Sequence, residues 1–495
     1  MLTAALGSFT LRLYVLAAAV SVALSLWSAW AEFIPNPDAA LYLRAAELIA
    51  AGQWTAALKV YGWPCYSLAI AAMMTVTGFK ALPAAQIVNA ILSIISTLAF
   101  VGLVGRLANH DRLTSACAAI VILLQPHLSE LRASIVRDNG YDAFFILTLY
   151  LVARDLATPR LGTKFGIGLA IAAAGVFRIE GFALIVLVPL YYLLRHREYW
   201  ARPSTILAII VGCLLIIPGL ILWLSGILGE LLRGRLELHQ YVSHWSAVTN
   251  TIIDRVRDLK LHFLFPNGGG NSWGAYVGLV LGIVLVNTVR AVTLPLAILT
   301  AFAFFPKRLM PRAVNGFVLW FTLAQLPMLI AFTAAMLLLD KRYAMGMALV
   351  LDVPLSFLLA EVTRQWRAGA ATRFFLPVTA IVLAAVWAFS VPRASKLAYL
   401  EEAGQWIGRE LPANVRVLTN DSRIAYYSGR PYGPAMQTCN CNTRLTDTEA
   451  TQFDYFAFVA DDANDLPAEL QKLPKQLVRS FAGKDGHTAF IYERE

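Results

Sequence analysis

The chain has 495 residues, 58% of them apolar and 15% charged, with a mean hydropathy of +0.62. A water-soluble domain averages about 25% charged residues, so this composition is that of a polytopic membrane protein. It excludes a cytosolic enzyme, a soluble nucleic-acid-binding factor and a small disulfide-stapled secreted domain. The net charge of +10, from 41 Lys+Arg against 31 Asp+Glu, fits basic cytoplasmic loops and gives no reason to expect a nucleic-acid partner.

The first apolar run, Leu11 to Ala31, ends in Ala29-Trp30-Ala31, which mimics a signal-peptidase site. At about 20 residues it exceeds the apolar region of a signal peptide and is long enough to span, so it reads as a retained transmembrane helix. Next, Asn36-Pro37-Asp38 predicts a helix start, with Asn as N-cap and Pro at the first position, running to about Ala51 before Gly52. Leu41, Tyr42, Ala45, Leu48 and Ile49 share one face of it, with Arg44 and Glu47 opposite. Asp38 falls in the sector of Tyr42, Ala45 and Ile49. The apolar segment from Cys65 to Gly78 is short for a span and reads as interfacial or re-entrant. Further spans are expected at roughly 83–105, 113–129, 139–153, 165–177, 181–194, 204–225, 274–305, 313–338, 343–360 and 373–391. The 274–305 run reads as one long helix or as a bent pair with Arg290 at the break.

Alternate loops carry Arg106 and Arg112; Arg154, Arg160 and Lys164; Arg195, Arg197 and Arg202; Lys307, Arg308 and Arg312; Arg364, Arg367 and Arg373. The positive-inside rule makes these loops cytoplasmic. The N-terminus is then inside, the C-terminus outside, and the loops 32–82 and 226–272 face outward. The expected fold class is an α-helical polytopic membrane protein with about 11–13 transmembrane helices and a small C-terminal α/β domain. The membrane part would cover 1–391 and the extracytoplasmic domain 392–495. In that tail a helix is predicted over Lys396 to Leu411, and strands over Val415–Thr419, Phe453–Val459 and Thr488–Tyr492. Cys439 and Cys441, separated by one residue, read as a structural or incidental pair.

Polar residues concentrate in the outward loops. Asp38 is a first-turn acid on its helix, suited either to complementing the helix dipole or to serving as a general base. Glu32 is the nearest alternative acid. Glu130, Arg132, Arg137, Asp138 and Asp142 crowd the boundary of a span, where charges are costly and mark sites by default. Arg178 and Glu180 lie between two short apolar runs, and Lys341, Arg342 and Tyr343 begin another span from the same side. Singly each arginine can snorkel to the interface; together they suggest a cluster able to hold a phosphate. His239 and His244 lack the spacing of a zinc hydrolase.

The order of these elements resembles the bacterial family 39-like glycosyltransferases of the GT-C superfamily, which are related to protein O-mannosyltransferases and lipid A aminoarabinose transferases. The resemblance rests on Pro37-Asp38 through Tyr42 to Gly52-Gln53-Trp54, on Arg137 to Phe145, on Arg178-Ile179-Glu180-Gly181, on Arg342-Tyr343, and on Glu410-Leu411-Pro412 with Tyr426-Tyr427-Ser428-Gly429-Arg430. Two positions depart from it. Ala39 stands where many relatives have a second acid, and Trp63-Pro64 replaces the usual Lys-Pro or Pro-Pro, so that the lipid-phosphate contact made there is either absent or supplied by Lys59.

The resemblance implies transfer of a hexosyl or pentosyl group from a polyprenyl-phosphate donor to a hydroxyl of a lipid, glycan or protein acceptor, on the outer face of a bacterial inner membrane. In that scheme Asp38 is the base and Asp138 supports the site. Lys59, Arg137, Arg178, Glu180, Lys341, Arg342 and Tyr343 surround the lipid phosphate. A monophosphate leaving group can be met by Arg and Lys, so neither metal nor cofactor is expected. The competing expectation is a transporter or flippase of a lipid-linked saccharide, against which stands the lack of paired halves in the sequence.

Overall fold

The computed structural model describes residues 2–31, 35–195, 245–262, 272–304, 310–369, 375–390, 397–430, 435–438, 451–462 and 474–495. The expectations for Glu32, the 204–225 span, His239, His244, Cys439 and Cys441 lie outside the described residues. The chain is helical, with a small C-terminal sheet, and divides into two compact units. The first contains Met1–Leu26, Asn89–Arg132 and Arg137–Val391; the second contains Trp27–Val88, Ala133–Val136 and Pro392–Glu495.

Among the described residues five helices are long and apolar enough to cross a membrane: Ser8–Ala31, Ala81–Leu107, Ser272–Val292, Arg312–Met336 and Lys341–Arg367. A sixth arises if Arg112–Leu123 and Pro126–Ala133, bent by 49°, form one broken span. Leu161–Phe177, Ile179–Leu194 and Leu376–Ala388 are apolar but shorter.

Prolines explain where the expected runs divide. The 274–305 run breaks at Thr293 (φ 71°), not at Arg290, giving helices Ser272–Val292 and Leu294–Phe304. Pro295 has no N–H to give the carbonyl of Ala291. The Gln125 side chain donates to that carbonyl instead, at 3.0 Å, while its Oε1 accepts from Leu128 N at 2.8 Å at the other helix break. Pro327 likewise divides 313–338 into Arg312–Leu323 and Leu326–Met336.

The 226–272 stretch, read as a loop, holds a helix at Trp245–His262. Its Val256 packs with Tyr276 and Val280, and Arg255 Nη1 donates to the carbonyl of Ala335 at 2.7 Å. Helices Asp138–Ala157 and Leu161–Phe177 pack along one another. They are tied near their connection by a buried pair in which Lys164 Nζ lies 2.6 Å from Asp155 Oδ2, and Tyr192 donates to the same oxygen at 3.1 Å.

In the second unit, helix Pro37–Ala50 packs against Trp54–Val60, Cys65–Thr77 and Ser422–Tyr427. The tail begins with helix Ala398–Glu410 on a five-stranded sheet. Its strands are β1 (Val417–Thr419), β2 (Met436–Thr438), β3 (Tyr455–Ala460), β4 (Lys475–Ala482) and β5 (Thr488–Arg494), in the order β2-β1-β3-β5-β4. β1 runs parallel to β2 and β3, and β5 runs antiparallel to β3 and β4. Leu400, Ala403 and Ile407 from the helix meet Val417, Ala457 and Ile491 from the sheet in a common core. Arg430 is buried, and its guanidinium donates to the carbonyls of Ile407, Leu411, Pro412 and Val415, closing the C-terminal end of that helix.

Candidate functional site

Asp38 occupies the second position of helix Pro37–Ala50 and is half-buried. The expected sector is confirmed around it, since Tyr42, Ala45 and Ile49 are buried; Leu43 is buried as well, because the helix is covered on more than one side, whereas Leu41 is only half-buried. Asn36 precedes the helix as expected but does not cap it with its side chain. Its Oδ1 accepts from Ile135 N at 2.7 Å, and the Pro37 carbonyl accepts from Ser422 Oγ at 2.6 Å. The first turn carrying Asp38 is thus fixed from two sides. Tyr42, four residues on, meets the rings of Tyr61 and Tyr66 edge-on, at 4.8 and 5.2 Å. Gly52 ends this segment with φ 75°, a conformation that favours glycine. Lys59 is exposed in the last turn of Trp54–Val60.

In the first unit the structure gathers Asp138, Arg178, Glu180 and Tyr343. Arg178 is buried at the junction of Leu161–Phe177 and the 3₁₀ turn Ile179–Ala183. Its Nη1 donates to Asp138 Oδ1, and its Nη2 and Nε grip Glu180 as a fork, at 2.5 and 3.3 Å. The guanidinium lies 4.4 Å from the centre of the Tyr343 ring and 5.8 Å from that of Tyr141. Phe332 stacks on Tyr343 at 4.8 Å. The two sequence glycines follow from close approach. A Cβ at Gly181 would stand 2.3 Å from the backbone carbon of Ala174, and one at Gly140 would stand 2.2 Å from the Phe177 ring.

The other basic residues are spread along the same unit. Arg137 precedes helix Asp138–Ala157 and is half-buried. Lys341 Nζ pairs with Glu130, whose carboxylate is also 3.1 Å from His127 Nδ1. Asp340 caps the turn Lys341–Ala344 by accepting from Arg342 N at 3.0 Å, and Arg342 lies over the Tyr343 ring at 5.5 Å. The basic cluster is therefore interleaved with acids: Arg178 faces two carboxylates and Lys341 one.

Two buried carboxylates stand apart. Asp142, one turn on from Asp138, and Asp352, in helix Met345–Arg367, are buried with no hydrogen-bond partner on either oxygen. Asp142 was legible from its i, i+4 spacing to Asp138; Asp352 had no signal beyond a lone acid in an apolar run. His127 carried no signal, and Glu130 was singled out in the boundary cluster but not its pairing with Lys341, which is remote in sequence.

A scan against protein-family models and a sequence search of characterised proteins both return no match. Among solved structures, the chain is similar to a mutant of arabinofuranosyltransferase AftD from Mycobacteria, with a TM-score of 0.53 at 15% identity, over 97% of this chain and 41% of that one. It also resembles ArnT from Cupriavidus metallidurans in the apo state (TM-score 0.46, 13% identity) and bound to undecaprenyl phosphate (0.45, 12%), each over 97% of both chains. The likeness to AftD shows a shared fold. This chain spans about two-fifths of the length of AftD.

Proposed function

We propose that the chain is an inverting membrane glycosyltransferase that moves a sugar from a polyprenyl-phosphate donor to an acceptor hydroxyl on the outer face of the membrane. The observation that carries this reading is the placement of Asp38: a half-buried carboxylate on a helix turn held by Ile135 and Ser422. A general base needs such a fixed position.

In the reaction, the acceptor oxygen attacks the anomeric carbon as its proton passes to the Asp38 carboxylate. The bond from the anomeric carbon to the phosphate oxygen breaks, and polyprenyl phosphate departs with the bonding electrons. Charge building on that phosphate is met by basic side chains, for which Arg137, Arg342, Lys341 and Lys59 are the proposed set. Arg178 already answers Asp138 and Glu180, so its part is to hold these two carboxylates and the Tyr343 ring in place. Asp138 is accordingly a positioning residue in this scheme.

The test is a panel of labelled polyprenyl-phosphate sugars offered to the purified protein with candidate acceptors. Release of polyprenyl phosphate together with a product of inverted anomeric configuration is expected for one donor. Counterflow of an unaltered lipid-linked saccharide across vesicles, with no bond cleaved, would replace transfer by transport.

A further inference from the structure

The helix turn that carries Asp38 lacks its usual local fastening. Asn36 stands at the N-cap of helix Pro37–Ala50, yet its side chain does not cap that helix; its Oδ1 accepts from Ile135 N instead. A second tie comes from the tail, 385 residues further along the chain: Ser422 Oγ donates to the Pro37 carbonyl at 2.6 Å, one residue before Asp38. The tail holds that hydroxyl still. Asn420 locks the end of β1 to that of β3, its Nδ2 donating to the Val459 carbonyl and its Oδ1 accepting from Val459 N, both at 2.9 Å. Asp421 caps helix Ser422–Tyr427 by accepting from Arg423 N at 2.8 Å, and Arg423 Nε donates to the same carboxylate oxygen at 2.8 Å. Helix Ala398–Glu410 seats this short helix in backbone contact. A Cβ at Gly404 would stand 2.7 Å from the Ile424 carbonyl oxygen, and one at Gly408 would stand 2.4 Å from that of Ser428.

We infer that Ser422 is a positioning residue for Asp38, which makes the C-terminal tail a working part of the transfer machinery and not an appended domain. Topology explains the placement. β1 lies between β2 and β3, and all three run parallel. The chain leaves β1 for β2 on one side and then takes β3 on the other. Open α/β sheets present their contacts from the loop at the carboxyl end of such a switch point. Here that loop grips the chain's own Asp38 turn. A hydroxyl on the Pro37 carbonyl restrains the direction of the turn, and with it the carboxylate on the next residue. A misplacement of about 1 Å at a reacting group costs on the order of 10²-fold in rate. The inference deepens the glycosyl-transfer reading, and rests on it only for the role of Asp38 as base.

The full-length protein in detergent is tested by two readouts. Hydrogen exchange needs no turnover: in Ser422→Ala the amides of residues 39–42 should exchange at least about fivefold faster than in wild type, with those of 400–407 unchanged. In sugar transfer, Ser422→Ala should lower kcat by about 5–50-fold with the donor KM within about twofold of wild type. Ser422→Thr keeps the hydroxyl and should stay within about twofold on both. In an Asp38→Asn background Ser422→Ala should cost nothing further, because its effect runs through the carboxylate; a merely structural tie would cost the same factor in both backgrounds. Should Ser422→Ala fail to fold, the isosteric variants Ser422→Thr and Ser422→Val, which differ in the hydroxyl, replace it. Unchanged exchange at 39–42, a kcat within about twofold of wild type, or the same factor lost in both backgrounds would overturn the inference. Faster exchange in Ser422→Ala, with a wild-type protein that transfers no sugar from any donor, would leave Ser422 holding the turn and defeat the glycosyl-transfer reading alone.

Discussion

Replacing Arg178 by Met is the sharpest perturbation of the acidic–basic cluster. The side chains of Arg178 and Asp138 are 5% and 4% exposed and that of Glu180 is 20% exposed, so solvent screens these interactions little. Removing the cation leaves two carboxylates facing each other without a counter-charge. Breaking a buried pair by deleting one partner costs about 3–5 kcal/mol, and the lost contact with the Tyr343 ring adds about 0.5–2 kcal/mol. The expected destabilisation of Arg178→Met is thus about 3–5 kcal/mol or somewhat more. Adding Asp138→Asn and Glu180→Gln removes the stranded charges and should recover much of it. Equilibrium unfolding in mixed micelles, followed by circular dichroism, measures both differences. A loss below about 1 kcal/mol, the scale of a screened surface pair, or a triple variant no more stable than the single one, would refute the reasoning.

Gly181→Ala should shift Arg178, because its Cβ would meet the Ala174 backbone at 2.3 Å; a cost of about 1–3 kcal/mol in the same unfolding assay is expected. Arg430→Met should lower the tail's stability by at least about 2 kcal/mol, since four carbonyls lose their charged donor; limited proteolysis near 407–415 would report it. Burial and the Asp485 carboxylate push the Tyr399 phenol up to about 12, and a hydrogen bond to Glu493 with burial does the same for Tyr455. Both folded values exceed the ordinary value of 10.0, so their contribution to stability is complete below pH 10 and lost as pH rises through 12. An ultraviolet-monitored titration should show these phenols ionising late, with the tail unfolding over that window.

Composition and hydropathy made the fold class legible, because a membrane span is a one-dimensional signal: about 20 apolar residues announce themselves without any partner. Helix starts at Pro37 and in the tail were legible for the same reason, each being set by local chemistry. The breaks near Gln125 and Thr293 were not, because a proline reveals the lost donor but not the distant side chain that replaces it; Gln125 and Ala291 are far apart in sequence and adjacent in space. Strands β2 and β4 escaped notice, one being three residues long and the other exposed along most of its length, so that no alternation marks it. At the candidate site, residue types and spacing singled out Arg178 and Glu180, but not that the arginine is shared with Asp138. Ion pairing across the fold is a property of packing, and Lys341 with Glu130 is the same case.

The central claim is that Asp38 takes the acceptor proton. It is tested most directly by sugar transfer from the consumed polyprenyl-phosphate donor, comparing wild type with an Asp38→Asn protein that elutes and melts like wild type. The account predicts a fall in turnover of about 10²–10⁴-fold, the usual worth of a general base, with donor binding retained. Transfer by Asp38→Asn at the wild-type rate would contradict it.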